Sequence, residues 1–185
     1  TKVPVKDSSG RMIGTIGSSR NITELKLAEA REDRRREILE KVVQLGKQVT
    51  EVSDLKTTLE KIWHGVHDKL GFDRLAIFLY DQETHSIKGS LGTSEQGEIV
   101  EEWEYSRSLS QEKPTSFTRA LEQPDGVYFT HNFGMEFDIP EEHDMHAVKD
   151  FAAATAWGGD KPVAIITVDN HLSQRSITKE QLEAL

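Results

Sequence analysis

The chain of 185 residues contains no cysteine. Disulfides, thiolate metal sites, a cysteine nucleophile and a thioether-linked chromophore are therefore excluded. Long apolar runs are also missing, since no stretch approaches the ~20 residues that a membrane-spanning helix needs. The sequence shows no nucleophile elbow, no phosphate-binding glycine loop and no zinc signature. We therefore expect a cytoplasmic protein module without enzymatic activity.

Positive charge is scarce, and the net charge is −9. Residues 1–53 carry a net charge of +3 and residues 54–185 a net charge of −12. So much negative charge repels phosphate groups, which argues against nucleic acid and an anionic membrane surface as partners. The basic run Arg34–Arg36 is flanked by acidic residues and is interpreted as a solvated helix face.

A seven-residue repeat of apolar residues runs through residues 22–70. Such a repeat keeps one seam of a helix facing a partner helix, as in a coiled coil. The sequence predicts a parallel homodimer, with a seam formed by Ile38, Val42, Leu45, Val49 and Val52. The alternative is a single amphipathic helix that packs on its own domain, and this is the better interpretation for residues 54–70.

The first 20 residues predict a β-hairpin, in which Asp7–Gly10 forms the turn and Arg11–Gly17 the second strand. Asn21 or Thr23 then caps the following helix. The stretch PVKDSSGRMIGTIGSSRNITELKLAEA resembles the C-terminal edge of a PAS domain. The family's Arg-Asp-Ile-Thr signature reads Arg-Asn-Ile-Thr at 20–23. The resemblance implies that residues 1–21 are the last hairpin of a PAS domain whose ligand pocket lies outside this chain.

Residues 54–185 predict the α+β class, with an antiparallel sheet flanked by helices. Ser53–Asp54 marks a cap or a kink at the start of the first helix, and Gly71 ends this helix. Thr178 caps the last helix, with Gln181 three residues on. The stretch Ile99–Leu109 fits either a helix or a strand. The remaining predicted elements are strands at 74–81, 86–93 and 127–130, helices at 115–122 and 141–150, a loop at 131–140, and a hairpin of 151–157 with 162–169.

Three stretches of this part resemble a GAF domain, in the order that the family shows. They read DLKTTLEKIWHGVHDKLGFDRLAIFLYDQETHSI, AATAWGGDKPVAIITVDN and ITKEQLEAL. The resemblance implies a GAF domain over 54–185 with a truncated closing helix, after a hairpin at 1–21 and a signalling helix at 22–53. The family's cyclic-nucleotide signature is absent. Its bilin-binding and sulfoxide-reducing members need cysteine, which this chain lacks.

Aromatic residues gather in the middle of this part, beside an aperiodic loop. They favour an apolar cavity for a small molecule of unknown identity, although an ordinary core explains them equally well. The candidate ligand-binding residues are Trp103, Tyr105, Thr130, His131, Asn132, Phe133 and Trp157. No cofactor is identified.

His143 and His146 are spaced three apart on a predicted short helix, with acidic residues close in sequence. Such a pair can bind zinc. With seven histidines in the chain, the pair arises easily by chance. We therefore expect an acidic loop without a metal.

Because the chain starts at Thr1 without a leader and Leu185 ends a helical stretch without a cap, we expect a piece of a longer protein. The resemblances imply a sensory or regulatory GAF module of a bacterial sensor histidine kinase in a two-component system. A change in the upstream domain would shift the packing of the helix pair. The alternative function is a small-molecule-binding receptor domain of a cyclase, a phosphodiesterase or a transcription regulator.

Overall fold

The computed structural model describes residues 2–17, 23–50, 54–110 and 113–185, and for residues 2–3, 15–17, 25, 39 and 42–50 it describes the backbone alone. By compactness the chain divides into residues 1–36 and 37–185. This boundary falls inside the first helix, α1 (Thr23–Thr50). Among the described residues, no helix combines the length and the apolar character that a membrane span requires.

The first unit begins with an antiparallel hairpin of β1 (Lys2–Lys6) and β2 (Met12–Gly17). The carboxylate of Asp7 holds the turn by accepting hydrogen bonds from the backbone N–H groups of Ser9, at 2.9 Å, and Arg11, at 3.0 Å. Gly10 takes a φ of 83°, which glycine adopts without steric cost. The predicted hairpin and its turn are confirmed. The predicted cap Asn21 lies outside the described residues.

The second unit contains α2 (Leu55–His64), which begins at Asp54. The Asp54 carboxylate accepts a hydrogen bond from the Thr57 backbone N–H at 3.1 Å, which confirms the predicted cap. From Gly65 to Leu70 the helix widens into a π-helical segment, which sequence reasoning did not anticipate. Gly71 ends the segment in the left-handed region, at a φ of 76°, as predicted.

The described residues of the second unit contain seven strands: β3 (Arg74–Asp81), β4 (Ser86–Thr93), β5 (Ile99–Glu101), β6 (Ser106–Ser108), β7 (Val127–Thr130), β8 (Phe151–Gly158) and β9 (Lys161–Asp169). They form one antiparallel sheet in the order β5-β4-β3-β9-β8-β7, and β6 pairs with the other half of β4. The stretch that fitted either a helix or a strand becomes the two short strands β5 and β6. The predicted antiparallel sheet flanked by helices is confirmed.

Alternation along the central strands gives the sheet two apolar faces. The first face, which carries Leu75 and Ile77 of β3, packs against α2, the π-helical segment and α5 (Lys179–Ala184). The second face, which carries Phe78 and Ile165, packs against α3 (Ser116–Glu122) and α4 (Phe133–Glu136). The sheet is therefore covered on both sides.

Hydrogen bonds at the helix ends fix α3 and α5. Thr115 and Thr118 form a capping box at the start of α3. Thr178 and Gln181 form another at α5, which confirms the predicted cap. The side-chain amide of Gln181 also donates a hydrogen bond to the Leu70 carbonyl at 2.8 Å, which ties α5 to the end of the π-helical segment.

The predicted helix at 141–150 is wrong, because this stretch forms successive turns. The His143 ring accepts a hydrogen bond from the Met145 backbone N–H at 3.1 Å, and this bond competes with helical pairing. The predicted loop at 131–140 is also wrong in part, since it contains α4. There the Phe137 N–H donates to the Phe133 carbonyl at 3.1 Å.

The predicted dimer seam lies mostly outside what the structure describes. Ile38 is 8% exposed and belongs to the core cluster of its own unit, together with Trp63 and Val66. For Val42, Leu45 and Val49 only the backbone is described, and Val52 is outside the described residues. The homodimer stays a prediction.

Candidate functional site

A cavity of about 910 Å³ lies on the second face of the sheet. Its floor comes from β3, β8 and β9, through residues such as Ala76, Phe151 and Thr167. Its cover comes from α3, α4 and the loop that follows α4. Most of the lining residues of β3 and β9 alternate along the strand, as Ala76 and Phe78 do in β3 and Thr167 and Asp169 do in β9.

Aromatic rings form much of the lining. Phe78 stands edge-on to Phe117 and to Tyr105, with ring centroids 4.9 Å and 5.5 Å apart. Phe133 of α4 lies on Phe151 of β8, with ring centroids 4.1 Å apart. Such contacts hold aromatic rings in defined orientations. The cavity therefore offers flat apolar walls to a ligand.

One wall of the cavity is the segment that connects β5 and β6, which both pair with the same edge of β4. Two glycines of β4 let this connection lie close to the strand, because a Cβ at Gly89 would meet the Glu102 carbonyl and a Cβ at Gly92 would meet the Glu102 carboxylate. The connection is fixed by two backbone hydrogen bonds of 2.9 Å, from the Glu102 N–H to the Ser90 carbonyl and from the Gly89 N–H to the Tyr105 carbonyl. Glu102 and Tyr105 both line the cavity.

A largely buried ion pair lies in the floor. Arg74 at the start of β3 and Asp169 at the end of β9 are directly opposite in the antiparallel register. The guanidinium donates to both carboxylate oxygens, from Nε to Oδ1 and from Nη2 to Oδ2, each at 2.9 Å. A bidentate pair with this geometry fixes both side chains. It gives the cavity a polar floor whose charges cancel.

Two further acidic residues at the cavity have cations near them. The Lys113 Nζ atom lies 4.0 Å from Oδ2 of Asp138, and both side chains are exposed. The pKa of Glu136 is lowered chiefly by the Thr130 hydroxyl, with a contribution from the positive charge of Arg119. A positive charge therefore lies near each of these two carboxylates.

Glu102 differs from the other acidic residues of the cavity. Burial raises the pKa of its carboxyl from the ordinary value of 4.5, and no neighbouring charge or hydrogen bond lowers it. Within the described part of the chain, its carboxylate has neither a cation nor a hydrogen-bond donor as a partner. The carboxylate can therefore pair with a ligand that enters the cavity.

The structure brings two of the seven predicted ligand-binding residues, Tyr105 and Phe133, to the cavity. Thr130 lies next to it, beside Glu136. Trp103 packs against the core of the first face, and Trp157 is 50% exposed at the β8–β9 hairpin. His131 and Asn132 are exposed, and the His131 ring lies 2.8 Å from the Asp150 carboxylate.

His143 and His146 have different neighbours. The His146 ring bonds to the Ile139 carbonyl at 2.6 Å, whereas His143 lines both the cavity described above and a second cavity of about 440 Å³. In the described residues no group of three or more potential ligands could hold a metal ion.

No protein-family model matches the sequence, and a search of curated proteins gives no significant match. Solved structures do match. The GAF domain of an Acinetobacter phosphoenolpyruvate-protein phosphotransferase is 14% identical, with a TM-score of 0.59 over 79% of this chain and 84% of that chain. The fold is that of a GAF domain.

Two further structures share this GAF fold. Residues 122 to 287 of a methyl-accepting chemotaxis protein are 16% identical, with a TM-score of 0.55 over 76% of this chain and 93% of that chain. The free methionine-R-sulfoxide reductase of Neisseria meningitidis, in complex with its substrate, is 9% identical, with a TM-score of 0.57 over 82% of this chain and 83% of that chain. The predicted GAF fold is confirmed.

Sequence reasoning missed the charged residues of the cavity in this GAF fold. For Arg74 and Asp169 a signal exists, since opposite charges stand at the two ends of apolar strands that pair antiparallel. For Glu102 no local signal exists. Its position depends on two glycines that are ten or more residues away in the sequence.

Proposed function

We propose that this chain is a sensory or regulatory GAF module of a multidomain signal-transduction protein, and that the cavity is its ligand site. The observation that carries the proposal is the cavity of about 910 Å³ with aromatic walls and a few convergent polar groups. Small-molecule sites usually have this form. The fold supports the proposal too, because it occurs in a chemotaxis protein and in a reductase solved with its substrate.

The proposal assigns binding, and no catalysis, to this chain. A thiol nucleophile is ruled out because the sequence contains no cysteine. In the cavity, the ion pair of Arg74 and Asp169 occupies the polar floor. The Thr115 hydroxyl is used in the cap of α3. These groups are engaged in holding the structure.

We further propose that α1 transmits the signal as part of a parallel homodimer, and that residues 1–21 are the end of a PAS domain. The seven-residue repeat of the helix supports the first part, and the hairpin with its Arg-Asn-Ile-Thr continuation supports the second. In this mechanism, the helix pair has two packings that differ by a few kcal/mol. A change in either neighbouring domain shifts the balance between them.

The parent protein in this proposal is a bacterial sensor histidine kinase. The alternative is a receptor domain of a cyclase, a phosphodiesterase or a transcription regulator. Incubation of the parent protein with labelled ATP separates the two, because only a histidine kinase acquires an acid-labile phosphate. A phosphate-free parent that synthesises or hydrolyses a cyclic nucleotide contradicts the kinase assignment.

A thermal-shift screen against a metabolite panel tests the ligand site. We expect at least one compound to raise the melting temperature, because a ligand that binds only the folded state stabilises it, by about 2.7 kcal/mol at a hundredfold excess over Kd. Ala76→Phe fills the floor of the cavity and should abolish the shift. The matched control Val163→Phe adds the same ring at a position that is 46% exposed, and it should keep the shift.

Two outcomes contradict the ligand site. One is a panel in which no compound raises the melting temperature. The other is a shift that persists in Ala76→Phe at full size, because the compound then binds elsewhere. If Ala76→Phe is poorly folded, Ala76→Leu gives a smaller filling of the same space.

A further inference from the structure

Besides His143 and Tyr105, the ionisable side chains that line the cavity are four Arg or Lys residues and four Asp or Glu residues. Three of the acids have a cation nearby: Asp169 pairs with Arg74, Asp138 lies near Lys113, and Glu136 senses the charge of Arg119. Glu102 is the fourth. Arg107 has an interaction of its own, and it does not lower the pKa of Glu102, which burial alone shifts. The cavity thus presents one uncompensated carboxylate.

The backbone that carries this carboxylate is fixed by hydrogen bonds, and the side chain packs against Gly92. Glu102 begins a tight turn in which the Tyr105 N–H donates to the Glu102 carbonyl at 3.0 Å. Its side chain lies against Gly92, where any Cβ would occupy the space of the carboxylate. A carboxylate held in this way loses little conformational freedom when it binds a partner. The group is therefore preorganised.

The surroundings favour a partner that is positively charged. A carboxylate that burial has partly desolvated gains more from a nearby cation than an exposed one does, because the effective dielectric constant is lower. The neighbouring walls are aromatic, with Phe78, Phe133 and Phe151 in the lining. These walls suit the apolar body of the same molecule, and the Tyr105 ring can also face a cation.

We propose that the cavity binds a small molecule in which a basic amino or amidino group pairs with Glu102 and an apolar or aromatic body lies against the phenylalanine walls. The proposal rests on the proposed function, since it names the chemical class of the ligand at the same site. It assigns Glu102 as the specificity-determining residue. The ion pair of Arg74 and Asp169 remains as the neutral floor beneath the ligand.

Three probes of nearly equal shape test the assignment: 2-phenylethylamine, 2-phenylethanol and 3-phenylpropionate. Their binding to the chain is measured by melting temperature and by titration calorimetry at neutral pH. We expect the amine to bind more tightly than the alcohol, and the carboxylate to bind least. In Glu102→Gln the Kd of the amine should rise about tenfold, the loss expected when a hydrogen bond to a charged group is removed. Glu104→Gln, which changes an exposed carboxylate two residues away, should keep the affinity of the unmodified chain.

The proposal is overturned if the amine binds no better than the alcohol, if Glu102→Gln retains the affinity for the amine, or if no probe binds. Its failure is distinguishable from failure of the ligand site itself. If the alcohol or the carboxylate binds best and Ala76→Phe abolishes that binding, the cavity is still a ligand site and the amine assignment alone is wrong. If no compound of the metabolite panel binds either, both proposals fail.

Discussion

The carboxylate of Glu102 lies between the glycines of β4 and an open cavity, and burial raises its pKa from the ordinary value of 4.5. Because this pKa is raised, the folded state binds the proton of Glu102 more tightly than the unfolded state does. The free energy of unfolding therefore falls as the pH rises from the unfolded pKa through the folded pKa, and the ionised group destabilises the fold at neutral pH.

Glu102→Gln should consequently raise the melting temperature at pH 7, because it keeps the shape of the side chain and removes the buried charge. The gain should shrink as the pH falls and vanish below about pH 4, where the carboxyl is protonated in both states. Scanning calorimetry of both proteins across this range measures it. Glu104→Gln serves as the exposed control and should change little. A lower melting temperature for Glu102→Gln at pH 7 would show that the carboxylate has a stabilising partner.

At the scale of the elements, the packing of α4 depends on Gly134, which has no side chain. Gly134 is buried, and a Cβ there would overlap the backbone carbonyl of His146 in the turns that follow. A backbone atom moves only if the whole turn moves. The close contact between α4 and these turns therefore fixes the position of α4, which covers the cavity.

Gly134→Ala should destabilise the protein by about 1–3 kcal/mol, the usual cost of overpacking, although alanine favours helix formation. Urea denaturation measures the loss. Gly14→Ala is the matched control, since a Cβ at Gly14 meets nothing within 4 Å, and its free energy of unfolding should change by less than about 0.5 kcal/mol. If the two variants are equally stable, α4 does not lie as tightly on the His146 turn as described.

The elements that sequence reasoning predicted share a physical property: their signals are local. Asp54 and Thr178 bind backbone groups within three residues, and the hairpin of β8 and β9 is continuous in the chain. Of the features that it missed, the turns at 141–150 involve a local side-chain bond, whereas the position of Glu102 depends on distant partners. The residues at 141–150 form turns partly because the His143 ring bonds to the backbone two residues on, a choice that helix periodicity does not reveal. The position of Glu102 depends on Gly89 and Gly92 of β4, which are ten or more residues earlier in the sequence.

On the scale of the whole molecule, the homodimer is the main prediction. The repeat places Leu45 in the predicted seam, whereas Ile38 is already buried in the core of its own unit. Leu45→Asp should dissociate the dimer, because a charge in an apolar seam is costly, while the GAF fold survives. Light scattering at tens of micromolar and circular dichroism measure the two properties. The control is Glu40→Asp, a change on an exposed residue of the same helix, which should leave the dimer intact.

A monomer of the unmodified chain under these conditions would contradict the dimer. So would a Leu45→Asp variant whose sheet unfolds together with the dimer, because α1 would then serve the core and not a partner helix. The class of fold and the outline of the sheet could be predicted from apolar spacing alone. The homodimer was predicted from the same kind of spacing, and it stays a prediction because only the backbone of Val42, Leu45 and Val49 is described.

Gly92 is touched from both faces of the sheet. On one face the Trp63 indole N–H of α2 donates a hydrogen bond to its carbonyl at 3.0 Å, and on the other face the Glu102 carboxylate lies against its Cα. A single residue of β4 thus joins the ligand side of the sheet to the helix side. A ligand that moves the Glu102 carboxylate therefore changes the packing on one side of the residue whose carbonyl anchors Trp63 on the other side. Because Gly92 has no side chain, the Glu102 carboxylate comes within one residue of the hydrogen bond that holds Trp63. Binding in the cavity is thereby coupled to α2 on the opposite face of the sheet.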